Sequence, residues 1–126
     1  MHKSKLAGFI IDCNTGDLDG AAAFWAGALG MPVKPLPGAE GQRYARLGDP
    51  LDRLHVEVQT VDHASRVHLD IESDDIEAEV CRLEALGARR VRQVQTWWVL
   101  EAPTGQRFCV VRAASPGFDA EANRWP

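Results

Sequence analysis

The 126-residue sequence has no Cys-x-x-Cys pair, no long apolar run and no dense block of positive charge. Its three cysteines, Cys13, Cys81 and Cys109, are odd in number and widely separated, which suggests neither a zinc knuckle nor a disulfide framework. A reduced, cytoplasmic protein is the simplest expectation. Apolar runs of only a few residues are too short for a membrane-spanning helix, so no membrane partner is expected. The start, MHKSKLAGFIIDCNTGD, is basic, but its apolar patch runs straight into Asp12 and does not resemble a signal peptide. Lysine and arginine number 14 against 18 acidic residues, for a net charge of −4, and the densest basic stretch is GARRVR. A nucleic-acid surface wants clustered positive charge, and that class is set aside. What is present is the composition of a soluble globular chain, 45% hydrophobic and 25% charged, of a length that suits one compact domain.

The first half begins with an isoleucine-rich strand over residues 6 to 13, broken by NTG. Leu18, Ala22, Trp25 and Leu29 then fall on one helical stripe that ends at Gly30, a residue suited to the left-handed position closing a helix. MPVKPLPGAEG, with three prolines, fits an edge strand and a loop. QRYARLGDP and DRLHVEVQTV read as strands joined by a turn at Gly48, Asp49 and Pro50. The second half repeats this order. RVHLDIES alternates as a half-buried strand does. Asp74 with Glu77 forms a helix-start signal, and Ile76, Val80, Leu83 and Gly87 line the helix that follows. RRVRQV, WWVLEAP and QRFCVVRA are three further strands, and residues 114–126 read as a surface tail. A shift of 57 residues brings Leu29 onto Leu86 and Gly30 onto Gly87. The expectation is an α+β fold of two βαβββ modules, about 6–60 and 66–113, sharing one core.

This order, the Phe-Trp-x-x-x-Leu-Gly first helix and the late P-x-G-x-x-F-C-V-V strand resemble the vicinal oxygen chelate superfamily. The likeness is greatest to short bacterial glyoxalase-like domain proteins, in the group of glyoxalases, bleomycin resistance proteins and dioxygenases. The resemblance covers roughly residues 6–113. It implies a cup-shaped mixed sheet with helices on the outer face, and in metal-using members a ring of four ligands inside the cup. The second module's first-strand position falls on His68 and its last-strand position on Cys109, where a glutamate is usual. The first module's positions fall on Gly8 or Ile10 and on Glu57. Gly8 and Ile10 offer no side-chain ligand, so no cofactor is expected at the family site.

Strand alternation supplies a separate reading. Leu54, Val56 and Val58 oppose Arg53, His55, Glu57 and Gln59. Val67, Leu69 and Ile71 oppose His68, Asp70 and Glu72, and Phe108 and Val110 oppose Arg107, Cys109 and Val111. With the apolar sets on the helices, His55, Glu57, Gln59, His68, Asp70 and Cys109 become candidates for a ligand cleft. Of adjacent Trp97 and Trp98, one faces that cleft. Trp97 groups with Val99 and Glu101, and an aromatic there, joined by Tyr44, would stack on a planar ligand. Two imidazoles and a carboxylate suit zinc or iron(II), which makes His55, Glu57 and His68 the alternative metal set. His68 could also serve as a base for Cys109, whereas Cys13 and Cys81 read as core. His2 reads as a terminal residue. The acidic cluster Glu72, Asp74, Asp75, Glu77 and Glu79 reads as charge at a helix start.

Three functions of different class follow. The first is a binding protein for an unknown small molecule. The second is a metal-dependent lyase, isomerase or dioxygenase with relocated ligands, and the third an interaction domain. The resemblance also implies a homodimer.

Overall fold

The computed structural model describes residues 1–49 and 53–126. Pro50, assigned from sequence to a turn, lies outside them. The fold is α+β, with strands β1 (His2–Cys13), β2 (Val33–Pro35), β3 (Tyr44–Leu47), β4 (His55–Thr60), β5 (Arg66–Ser73), β6 (Arg89–Val94), β7 (Trp97–Glu101), β8 (Arg107–Arg112) and β9 (Asn123–Trp125). The helices are α1 (Leu18–Leu29), α2 (Ile76–Ala85) and α3 (Phe118–Glu121). Two compact units result: a first unit of Gly8–Val67, and a second of Met1–Ala7 with His68–Pro126. Among the described residues no helix is long and apolar enough to cross a membrane.

The two units repeat one topology. In the first, β4 pairs parallel to β1 and antiparallel to β3, and β3 antiparallel to β2. In the second, β8 pairs parallel to β5 and antiparallel to β7, and β7 antiparallel to β6. β2 carries Pro35 as an edge strand, where a missing N–H is tolerated. Gly30 and Gly87 follow their helices at φ 67° and 109°, a region open to glycine because it lacks a Cβ.

In each unit the strands pack one face on the unit's helix. The first core is Ile11, Leu47, Val56 and Val58, against which Leu18 and Trp25 of α1 pack. The second is Val80, Leu83, Leu100 and Val110, with Ile71, Ile76, Trp98 and Phe108 around it. Full burial of side chains of this size contributes about 1.5–3 kcal/mol each.

Several local expectations are corrected. β1 begins at His2, and the first seven residues belong to the second unit, where His2–Ser4 pair with Asn123–Trp125 of the terminal strand. The tail is therefore ordered structure, anchored by Phe118, which is buried. The α2 cap is Asp75, whose carboxylate accepts from Ala78 N at 3.0 Å, while Asp74 accepts from Lys3 N at 2.8 Å. Leu54, Val67 and Leu69 are exposed, although alternation groups them with core residues. The reason is extent: α2 covers β5 only as far back as Ile71. Leu29 is exposed too, and Cys81 lies on the outer side of α2 near Glu77 and Arg90.

The acidic cluster divides into separate roles. Glu79 is fully buried, accepting from Arg82 Nε and Nη2 at 2.8 Å each, with His2 Nε2 at 2.8 Å. Burial alone would raise the Glu79 carboxyl, but hydrogen bonds from Arg82, His2 and Ser4 outweigh it and hold the group below its ordinary value. Arg82 stacks 3.8 Å over the Trp125 ring, and Trp125 Nε1 donates to Ser4 Oγ at 2.8 Å. His2 and Glu79 thus tie both termini to α2. Glu72 is also buried and accepts from Ser115 Oγ at 2.8 Å. Glu77 pairs with Arg90 at 2.7 Å.

Candidate functional site

In each unit the residues alternate to the core set form a polar sheet face. In the first unit the register aligns Gly8 with His55, Ile10 with Glu57 and Asp12 with Gln59, while Arg46 opposes Glu57 and Tyr44 opposes Gln59. These groups bond among themselves. His55 Nε2 lies 2.8 Å from Glu57 Oε1, Gln59 Nε2 donates to Tyr44 Oη at 2.9 Å, and Arg66 Nε is 3.8 Å from Asp12 Oδ2. Glu57 is buried, and its pairing with His55 supplies part of the compensation that buried charge requires.

The second unit's face is built differently. Asp70 opposes Cys109 across the parallel β5–β8 pair, and Cys109 opposes Val99 on β7. His68 stands two residues before Asp70, on the same face. One ligand-capable atom from each of His68, Asp70 and Cys109 lies within 4.8 Å of the other two. His68 Nε2 is 3.4 Å from Asp70 Oδ1, longer than an ordinary N–H···O bond. Asp70 Oδ1 is buried and makes no hydrogen bond. Trp98 packs in the core under Arg90, 4.9 Å from its ring, which leaves Trp97 on the face of Val99 and Cys109. On the other side of the first sheet, α1, β2 and β3 enclose an apolar cavity of about 240 Å³, lined by Leu18, Ala22, Val33 and Ala45 among others. It is small for a ligand pocket and has few polar groups.

Of the residues expected from sequence, His55, Glu57 and Gln59 lie in the first unit, and His68, Asp70, Trp97 and Cys109 in the second. The structure brings His68, Asp70 and Cys109 together as one cluster, and it bonds His55 to Glu57. The polar face also includes Asp12, Arg46 and Arg66, none of which the sequence reading put forward. The signal was available for Arg46, which alternates with core residues Ala45 and Leu47.

Comparison with known proteins fits this architecture. Residues 8–111 match the model of the Glyoxalase-like domain. The chain belongs to that family, within the vicinal oxygen chelate superfamily. A hypothetical protein from Bacillus halodurans C-125 superposes with a TM-score of 0.65 at 12% identity, covering 88% of this chain and 95% of that one. Methylmalonyl-CoA epimerase from Mycobacterium tuberculosis gives 0.58 at 19% identity, over 86% and 87% of the two chains. The Streptomyces coelicolor epimerase, in complex with 2-nitronate-propionyl-CoA, gives 0.55 at 17%, over 88% and 96%. At these identities the likeness is one of fold. No curated protein matches the chain significantly.

The four-ligand metal ring implied by the resemblance does not fit the first unit. A Cβ on Gly8 would overlap the backbone carbonyl oxygen of His55, so the close approach of β1 and β4 leaves no room for a side chain there. Ile10 is buried and carries no donor atom.

Proposed function

We propose that the protein binds a small molecule and does so without the four-ligand metal ring of the superfamily. The reading is carried by one observation. At the first module's ligand position, Gly8 is packed against the His55 carbonyl, whereas the surrounding face keeps an array of hydrogen-bonding groups. Such a face offers what a polar ligand needs: fixed donors and acceptors on strands, held by pairing with one another. Arg46, Gln59 and Tyr44, all in the first module, suit a carboxylate or carbonyl oxygen.

Methylmalonyl-CoA, the substrate named by the epimerases that share this fold, is the first probe. Calorimetric titration would be run beside an assay for epimerisation. Saturable binding without turnover, weakened by Gln59→Ala or Tyr44→Phe, supports a binding protein. Turnover would move the protein among the enzymes. Absence of binding by this probe and by a panel of carboxylates and bleomycin would favour the interaction-domain reading.

A further inference from the structure

We propose that the cavity between α1, β2 and β3 of the first module binds a small organic cation, an amine carried on a body the size of one aromatic ring. The cavity lies on the helix side of the strands. It uses neither Arg46 nor Gln59, nor the Tyr44 hydroxyl, which is bonded to Gln59.

Size sets the body of the ligand. The cavity measures about 240 Å³. Pockets for larger ligands run to about 300–1,000 Å³, whereas an apolar void of about 150 Å³ holds benzene. One ring with a short arm is the body that fits. Ala22 and Ala45, both buried, belong to the lining, and Val33 and Pro35 form an exposed apolar rim. An apolar body seated there removes that rim from water, which favours binding. The space exists because α1 carries small side chains where α2 carries large ones. In the 57-residue shift that overlays the helix ends, Ala23 and Ala26 fall on Val80 and Leu83, which fill the second core. The walls are also fixed. β2 is hydrogen-bonded to β3, and the 3₁₀ turn Gly38–Gln42 closes so tightly that a Cβ on Gly41 would overlap the Leu36 carbonyl oxygen.

Charge sets the class of the ligand. Asp19, exposed in the first turn of α1, is the one charged residue lining the cavity among the described residues. Among those residues no hydrogen bond or ion pair engages its carboxylate. Lys34 stands between Val33 and Pro35, but its side chain extends beside Gly48. The positive end of the α1 dipole amounts to about half a charge, which Asp19 and the capping Asp17 together outweigh. A carboxylate beside an apolar hollow complements an ammonium on an apolar body and repels an acid of the same shape.

The test is a titration of benzylamine into the full-length, isotope-labelled chain, followed by amide NMR shifts. Saturable shifts at Ala22, Ala23 and Ala45 are expected, with weaker binding by benzyl alcohol and none by benzoate. Asp19→Asn should weaken benzylamine about two- to fivefold, the range of an exposed ion pair, and leave benzyl alcohol unchanged. Ala23→Leu and Val33→Phe each place a larger side chain at the cavity and should abolish saturation by both ligands. Urea unfolding of these variants shows whether the fold is kept. Absence of saturation by benzylamine would overturn the proposal. So would benzoate binding as tightly as benzylamine, or benzylamine shifts that survive both enlarged side chains. Methylmalonyl-CoA has no part in this titration, so failure of the reading above leaves the result intact.

Discussion

The two modules share one topology, down to the parallel pairing of first and last strands, yet they place different residues on the same sheet face. The first closes its polar groups into pairs, His55 with Glu57 and Gln59 with Tyr44, around a glycine that admits no side chain. The second gathers His68, Asp70 and Cys109 into one cluster, with one ligand-capable atom of each within 4.8 Å of the other two. The lesson is that repetition of a fold fixes where a face lies, and a few residues decide which groups that face presents.

The cores, by contrast, should be equivalent, and the largest effects test where the units differ beneath their faces. Glu79→Ala strips the second unit of its buried carboxylate and leaves Arg82 and His2 without it. Breaking a buried pair in this way costs about 3–5 kcal/mol, to be read as a lower urea midpoint. Leu47→Ala and Leu100→Ala remove fully buried leucines at matching strands, β3 and β7. Each should cost about 2–5 kcal/mol. A loss confined to one of them would break the equivalence of the two cores. Gly8→Ala forces a Cβ against backbone and should cost about 1–3 kcal/mol, measured by thermal unfolding.

Acid sharpens the contrast further. The folded Glu79 carboxyl lies below its ordinary value of 4.5, so its contribution is present above that pH and fades as pH falls through the folded value. Glu79→Gln should therefore flatten the acid limb of stability below pH 4.5, where the parent protein loses this contribution. An unchanged acid limb would mean that other carboxyls dominate it.

Much of this was legible in sequence. Hydrophobic period placed both helices and the later strands, and the Leu-Gly helix ends announced the repeat because only glycine settles readily at positive φ after a helix. Alternation also placed His68, Asp70 and Cys109 on a common face. It could not give the distances among them, which depend on the β5–β8 register. Nor could it assign Glu79 and His2, since their partnership spans 77 residues and looks locally like a charged helix start and a chain end. Val67 and Leu69 were misjudged because period reports a face and says nothing of how far a covering helix extends.

The most direct test of the account is calorimetric titration of methylmalonyl-CoA into the reduced, untagged protein and into its Gln59→Ala and Tyr44→Phe variants. The account predicts saturable binding by the parent protein, weakened in both variants, each of which loses the Gln59 Nε2 to Tyr44 Oη hydrogen bond. Equal affinity in the parent protein and both variants would contradict it.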